Sequence, residues 1–313
     1  MDHHGHGTDP ADLPPFSFTR LLELGGDGFF LAGCLLLAVL YGWGAWRLAR
    51  RGDHWPVGRT LSFLLGVASL FAVTCTGLND YGMVLFTAHM AQHMVISMVT
   101  PVLMLLGAPV TLLLRALPAG GQARRLAVRL LHSRYARVVT SALFTIPLFV
   151  ASLYGLYFTP LFDFLMESRL GHLAMMVHFL AVGLAFFFPI MGVDPGPHRP
   201  GYLMRILELF ATMPFHAFFG IALMMASEPM VDTFAHPPAS LAVTALSDQS
   251  SAGGMAWAFS EIPTVVVLIA LVVQWYVSEE RRARRMDRTA DRDGDRDLAA
   301  YNAYLASLQA RRG

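Results

Sequence analysis

The chain has 313 residues, 55% of them hydrophobic and 14% charged, with a formal net charge of +1. A mean hydropathy of +0.50 and a charged fraction well below the roughly 25% of soluble domains exclude an ordinary soluble globule. All 23 basic residues are arginine, which removes every chemistry that needs a lysine amine, including a retinal Schiff base, pyridoxal phosphate catalysis and a P-loop. Two cysteines, Cys34 and Cys75, are too few for a disulfide framework. Nucleic acid is not an expected partner, because the arginines flank apolar segments instead of forming a basic domain.

Residues 1–27 are polar and carry His3, His4 and His6. They lack the basic-then-apolar order of a secretory signal and read as a flexible outer segment, with a metal-gathering role for the histidines as one reading. Seven apolar stretches follow, at 29–46, 61–78, 83–114, 138–158, 173–191, 206–225 and 255–277. A helix needs about 20 predominantly apolar residues to cross a bilayer, so the expected fold is all-α, a polytopic bundle of seven transmembrane helices. The domain division is then 1–27, a membrane domain over 28–278, and an Arg/Asp-rich tail over 279–313 with a short helix near 298–308. The third stretch is long and holds Pro101 and Pro109, so it is expected to kink, tilt or run on past the membrane.

Arginine placement orients the bundle. Loops after the first, third and fifth stretches, together with the tail, carry 21 arginines, against Arg20 and Arg169 on the other side. The positive-inside rule then puts the N-terminus outside, in periplasm or exoplasm, and the C-terminus in the cytoplasm.

Ionisable groups inside spans are costly and mark function. His89 and His93 are four apart on one helix face. His172 and His178 open the fifth stretch, His216 lies in the sixth and Glu261 in the seventh. At about 1.5 Å rise per residue, His89, His93, His178, His216 and Glu261 all fall roughly 9–15 Å below the outer end of their spans. The inner half holds only Glu208, with Arg205 one turn away, and Gln274. Met90, Met94 and Met98 form a stripe beside the histidines, which serves either as core filling or as soft ligands for copper. The loop before the last stretch carries Asp232, His236, Asp248 and Gln249 and is long enough to cover the outer layer.

The run HMAQHMVISMVTPVLMLLGAPVTLLLRALP (89–118), YGLYFTPLFD (154–163) with His172 and His178 after it, PIMGVDPGP (189–197) and SDQSSAGGMAWAFSEIP (247–263) resemble the CtaG family of caa(3)-type cytochrome c oxidase assembly factors. The resemblance implies a seven-span inner-membrane protein that acts with haem-copper oxidase subunits. Periplasmic copper chaperones are possible further partners, and the bilayer is the third. Its motif positions carry over to His89, His93, His172, His178, Asp248, Gln249, Trp257 and Glu261. Copper is the expected cargo, with His89, His93, His172, His178 and His216 as ligands and Asp248 and Glu261 as orienting groups or hard acceptors. Haem b held by His93 opposite His178 and a metal-free scaffold of interhelical hydrogen bonds remain open. A transporter is disfavoured by the apolar inner half. An enzyme is not expected, since no nucleophile–base pair accompanies Glu261.

Overall fold

The structure is a computed structural model that describes residue 19 and residues 23–197, 199–293 and 296–311. His3, His4 and His6 lie outside the described residues. Among those residues the chain is helical, with one isolated bridge between Leu24 and Thr76. Its helices are α1 (Gly28–Ala49), α2 (Val57–Thr74), α3 (Gly77–Gly82), α4 (Phe86–Met94), α5 (Thr100–Leu106), α6 (Pro109–Ala116), α7 (Gln122–Leu131), α8 (Arg134–Val139), α9 (Ala142–Tyr157), α10 (Leu161–Met166), α11 (Arg169–Met191), α12 (Tyr202–Met225), α13 (Ala245–Asp293) and α14 (Arg296–Ala310).

Among the described residues six helices are long and apolar enough to cross a membrane: α1, α2, the run Phe86–Leu106, α11, α12 and α13. The fourth expected span is shorter. Ser141 is extended and ends the line from α8, so α9 begins at Ala142 and has 16 residues, about 24 Å of helix against a hydrocarbon core of about 30 Å. The third expected span is divided. Ala108 adopts the left-handed conformation at φ 52°, since Pro109 disfavours the right-handed helix in the residue before it. The helix therefore stops at Leu106 and restarts as α6.

Pro101 does not break that run. Instead a π-helical turn, Val95–Val99, precedes it. A proline ring clashes with the carbonyl four residues back, here Ser97, and the wider turn accommodates the ring. Gly183 of α11 packs on this spot: a Cβ there would run into the Ser97 carbonyl and come within 2.8 Å of Pro101. Gly220 of α12 and Gly253 of α13 meet in the same way, each Cβ position lying 2.6 Å from the other's carbonyl oxygen. Small residues let membrane helices approach this closely.

One end of the bundle is ringed by tryptophan and arginine. Arg47 lies over Trp43, Arg50 over Trp46, and both Arg59 and Arg115 over Trp55. Trp55 donates to the Tyr41 hydroxyl (3.2 Å), which donates to the Gly107 carbonyl (2.7 Å). Such amphipathic rings belong at a membrane–water boundary.

The chain divides into two compact units, Met1–Val267 and Leu268–Gly313. The second contains the C-terminal part of α13 and α14. The sequence reads as solvated tail from 279 onward, yet α13 continues to Asp293. Strong helix formers and the Arg284–Glu280 pair one turn apart favour the helix.

Asp27 ties the start of α1 to α11. It caps α1 by accepting from the Phe29 amide (3.0 Å) and accepts two bonds from Arg169, at 2.8 and 3.1 Å. Arg169 holds the Asp27 carboxyl below the usual carboxylate range, against a smaller upward push from burial. A lowered carboxylate stabilises the fold above its unfolded pKa of about 4 and loses that contribution as pH falls through the lowered native value. Asp27→Asn should therefore melt below the native chain near neutral pH, and the gap should close in acid. A gap that is constant with pH would show that the charge contributes nothing.

Candidate functional site

The first backbone amides of a helix have no partner within it, and in α4 a distant aspartate meets them. Asp248, in the first turn of α13, accepts from the amides of Phe86 (2.6 Å) and Thr87 (3.1 Å), and its backbone carbonyl accepts from the Thr87 hydroxyl (3.0 Å). The same device recurs twice. Asp194 takes the amides of Val110 and Thr111 and the Thr111 hydroxyl at the start of α6. Asp163 takes the amides of Asp232 and Thr233 and the Thr233 hydroxyl. Both carboxylate oxygens of Asp248 anchor the helix that carries His89 and His93.

On that helix, His89 and His93 are 0% and 1% exposed, with ring centroids 4.3 Å apart. His172, in the first turn of α11, is 8% exposed, and its ring centre is 5.9 Å from that of His89. Ser168 places it by accepting the Gly171 amide (3.0 Å). Aromatic rings enclose the trio. Phe162 and Phe234 lie 5.0 and 5.5 Å from His89, and Phe179 lies 4.2 Å from His93.

The hydrogen bonds assign protons. His89 Nδ1 is 3.1 Å from the Gly82 carbonyl, which can only accept, so Nδ1 carries the hydrogen and Nε2 a lone pair. His93 Nδ1 pairs with the Tyr157 hydroxyl at 2.8 Å. The Nε2 atoms of His89, His93 and His172 are all buried without a hydrogen-bond partner. Each such group costs about 1–3 kcal/mol when left unsatisfied. Among the described residues no group of three or more His, Cys, Asp or Glu side chains stands ready-made to hold a metal ion. Two imidazoles sharing one ion at about 2 Å have ring centres no more than roughly 6 Å apart, and both measured separations meet that bound.

The other expected ligands lie elsewhere. His178 is exposed, and its Nε2 is 2.8 Å from Ser152 Oγ. The Ser152 hydroxyl hydrogen goes to the Leu148 carbonyl (2.6 Å), so His178 Nε2 is itself the donor and has no lone pair to offer. His216 is buried beside Phe149 at 5.2 Å, with Nδ1 3.5 Å from the Thr212 carbonyl. Glu261 is exposed on α13 and is no part of the buried cluster. Depth along a helix is shared by all of these residues; direction around it is not.

Tyr157, Gly82 and Phe234 were not singled out by the sequence reading. Tyr157 falls inside the quoted 154–163 motif, which is the one signal that pointed to it. Gln249 holds the covering loop, accepting from the Met230 amide (2.8 Å) and donating to the Leu223 and Glu228 carbonyls (3.3 and 3.2 Å). With Asp163 it seats Phe234 beside the His89 ring. Asp232 and His236 of that loop are exposed.

Membrane-length helices around a buried imidazole cluster define a multi-pass helical membrane protein. Over residues 39–278 the sequence matches the family described as cytochrome c oxidase caa3 assembly factor, and the chain belongs to that family. A relative from Mycobacterium bovis is 45% identical over 311 residues, covering 96% of this chain and 47% of the relative. One from Mycobacterium tuberculosis matches to the same extent. One from Mycobacterium leprae is 42% identical over 293 residues, 91% of this chain and 44% of its own. All three are described as uncharacterised proteins, and the chain spans about half the length of these curated relatives. No solved structure matches it.

Removing the Asp248 carboxylate should loosen α4. Loss of an N-cap costs about 0.5–2 kcal/mol. Asp248→Ala in detergent should show a lower melting temperature and faster amide exchange at Phe86 and Thr87. Unchanged exchange at those two amides would show that the cap does not hold the helix.

Proposed function

We propose that the chain takes part in assembling a cytochrome c oxidase by holding copper as cargo on His89, His93 and His172 and releasing it to oxidase subunits. Three buried Nε2 atoms without partners carry the reading. The Gly82 carbonyl adds to it, because it fixes the one neutral tautomer of His89 that presents a lone pair at Nε2. Second-shell bonds of this kind are what orient metal-bound histidines. For His93, the tautomer that donates from Nδ1 to the Tyr157 oxygen frees Nε2 in the same way. Imidazole nitrogens with neighbouring thioethers suit copper, and a site of only three nitrogens leaves a position through which the ion can be passed on. The role is one of holding and transfer, with no catalytic step.

In this reading the short α9 completes seven spans. The N-terminus lies outside and the C-terminus in the cytoplasm of a bacterial inner membrane, in keeping with the arginine asymmetry. The trio then lies in the outer half, toward oxidase subunits and periplasmic copper chaperones.

The test is anaerobic Cu(I) titration of the purified chain, with X-ray absorption to identify the ligands. One tightly held equivalent with nitrogen ligation is expected. It should be lost in His89→Ala/His93→Ala and kept in His178→Ala and Glu261→Ala. A native chain that takes up no copper, or variants that bind as the native chain does, would overturn the reading. A Soret band in the purified chain would favour haem in its place.

A further inference from the structure

The three unpaired nitrogens are enclosed by rings, so an ion needs a way in. His172 of the trio lines a cavity. That cavity, of about 500 Å³, is a crevice between the starts of α1 and α11 and the α3 turn, walled by Asp27, Asp80, Met83, Arg169, His172 and Met176 among others. His172 therefore has two neighbours of different kinds. It walls the crevice, and its ring centre is 5.9 Å from His89, while its own Nε2 is buried and without a partner.

The walls have a definite chemistry. At the rim, the positive charge of Arg169 is neutralised by its two bonds to Asp27. Among the described residues Asp80 is the wall carboxylate without an ion-pair partner of that kind. Burial, and to a lesser degree Glu23, push its pKa up, so a cation nearby would relieve it. Met83 and Met176 add two thioethers, and Met176 is 2% exposed. A hard dication asks for six or more oxygen ligands. Two soft sulfurs, an imidazole and one carboxylate instead suit a soft monovalent ion.

Resting on the copper reading above, we propose that this crevice is the loading route for Cu(I) from the outer face, with the Met83 and Met176 thioethers as first, transient ligands beside Asp80 and His172 as the step to His89 and His93. Negative charge at the mouth raises the local concentration of cations. Thioethers bind without a proton to displace. The ion changes ligands one at a time and is never stripped of all of them.

Stopped-flow loading of the full chain from the Cu(I)–bicinchoninate complex tests the route. Met83→Leu/Met176→Leu keeps volume and apolarity and should reach the same final stoichiometry as the native chain, but about tenfold more slowly. A double variant that loads at the native rate would overturn the proposal. The second measurement does not depend on the trio. In His89→Ala/His93→Ala labelled with 13C-methyl methionine, Ag(I) should shift the Met83 and Met176 methyl resonances ahead of those of the other methionines. Unshifted Met83 and Met176 methyls would overturn the route even where the native chain binds copper. Shifted methyls in a chain that binds no copper would leave the crevice as a soft-cation site and remove the copper reading alone.

Discussion

The bond between the Asp248 carboxylate and the first amides of α4 sets the position of the two histidines on that helix. A helix that begins inside a bundle carries unpaired N–H groups and a partial positive charge at its start, and both call for an anion. Asp248 supplies it from another helix, 162 residues away in sequence. Since His89 and His93 lie one and two turns beyond that start, the same contact that terminates α4 also fixes how far down and at what rotation the two imidazoles project. Asp194 and Asp163 repeat the arrangement, each holding two consecutive amides and the hydroxyl of the threonine that follows. Three aspartates of this kind tie helix and turn starts to other parts of the fold without relying on hydrophobic contrast, which is weak between helices surrounded by lipid.

Much of this was legible in the sequence. Composition and run lengths marked the membrane helices, and the spacing of four put His89 and His93 on one face. Pro101 and Pro109 marked the third stretch for a kink, a tilt or a run past the membrane, and the break falls at Pro109 alone. Depth leaves rotation free, so depth alone does not say which of the remaining histidines face one another. His178 follows His172 by six residues, roughly 240° around a helix at about 100° per residue, and indeed lies exposed while His172 is buried. Glu261 is thirteen residues after Asp248, roughly 220° around, and it too is exposed. The proton assignments were not legible. They depend on the Gly82 carbonyl, on Tyr157 and, for His178, on Ser152 being already committed to Leu148. These are contacts between segments that no local pattern encodes.

The histidine site and the loop over it share their supports. Phe234 lies against His89, and the loop that carries it is held by Asp163 on one side and Gln249 on the other. Asp163 follows directly on Phe162, another ring of the enclosure. One short helix, α10, thus supplies both a wall of the enclosure and a clamp on its cover.

That shared clamp bears on how the site can open. The loop joins α12 and α13, whose backbones already touch at Gly220 and Gly253, so its two ends cannot separate without parting the helices. Swinging the cover aside alone would break two hydrogen bonds through Gln249 and three through Asp163. Collective motion of packed elements belongs to the microsecond-to-millisecond range, slower than the nanosecond wandering of an untethered loop. The cover therefore moves, when it moves, as a cooperative unit with α10, and the crevice beside His172 stays outside that unit.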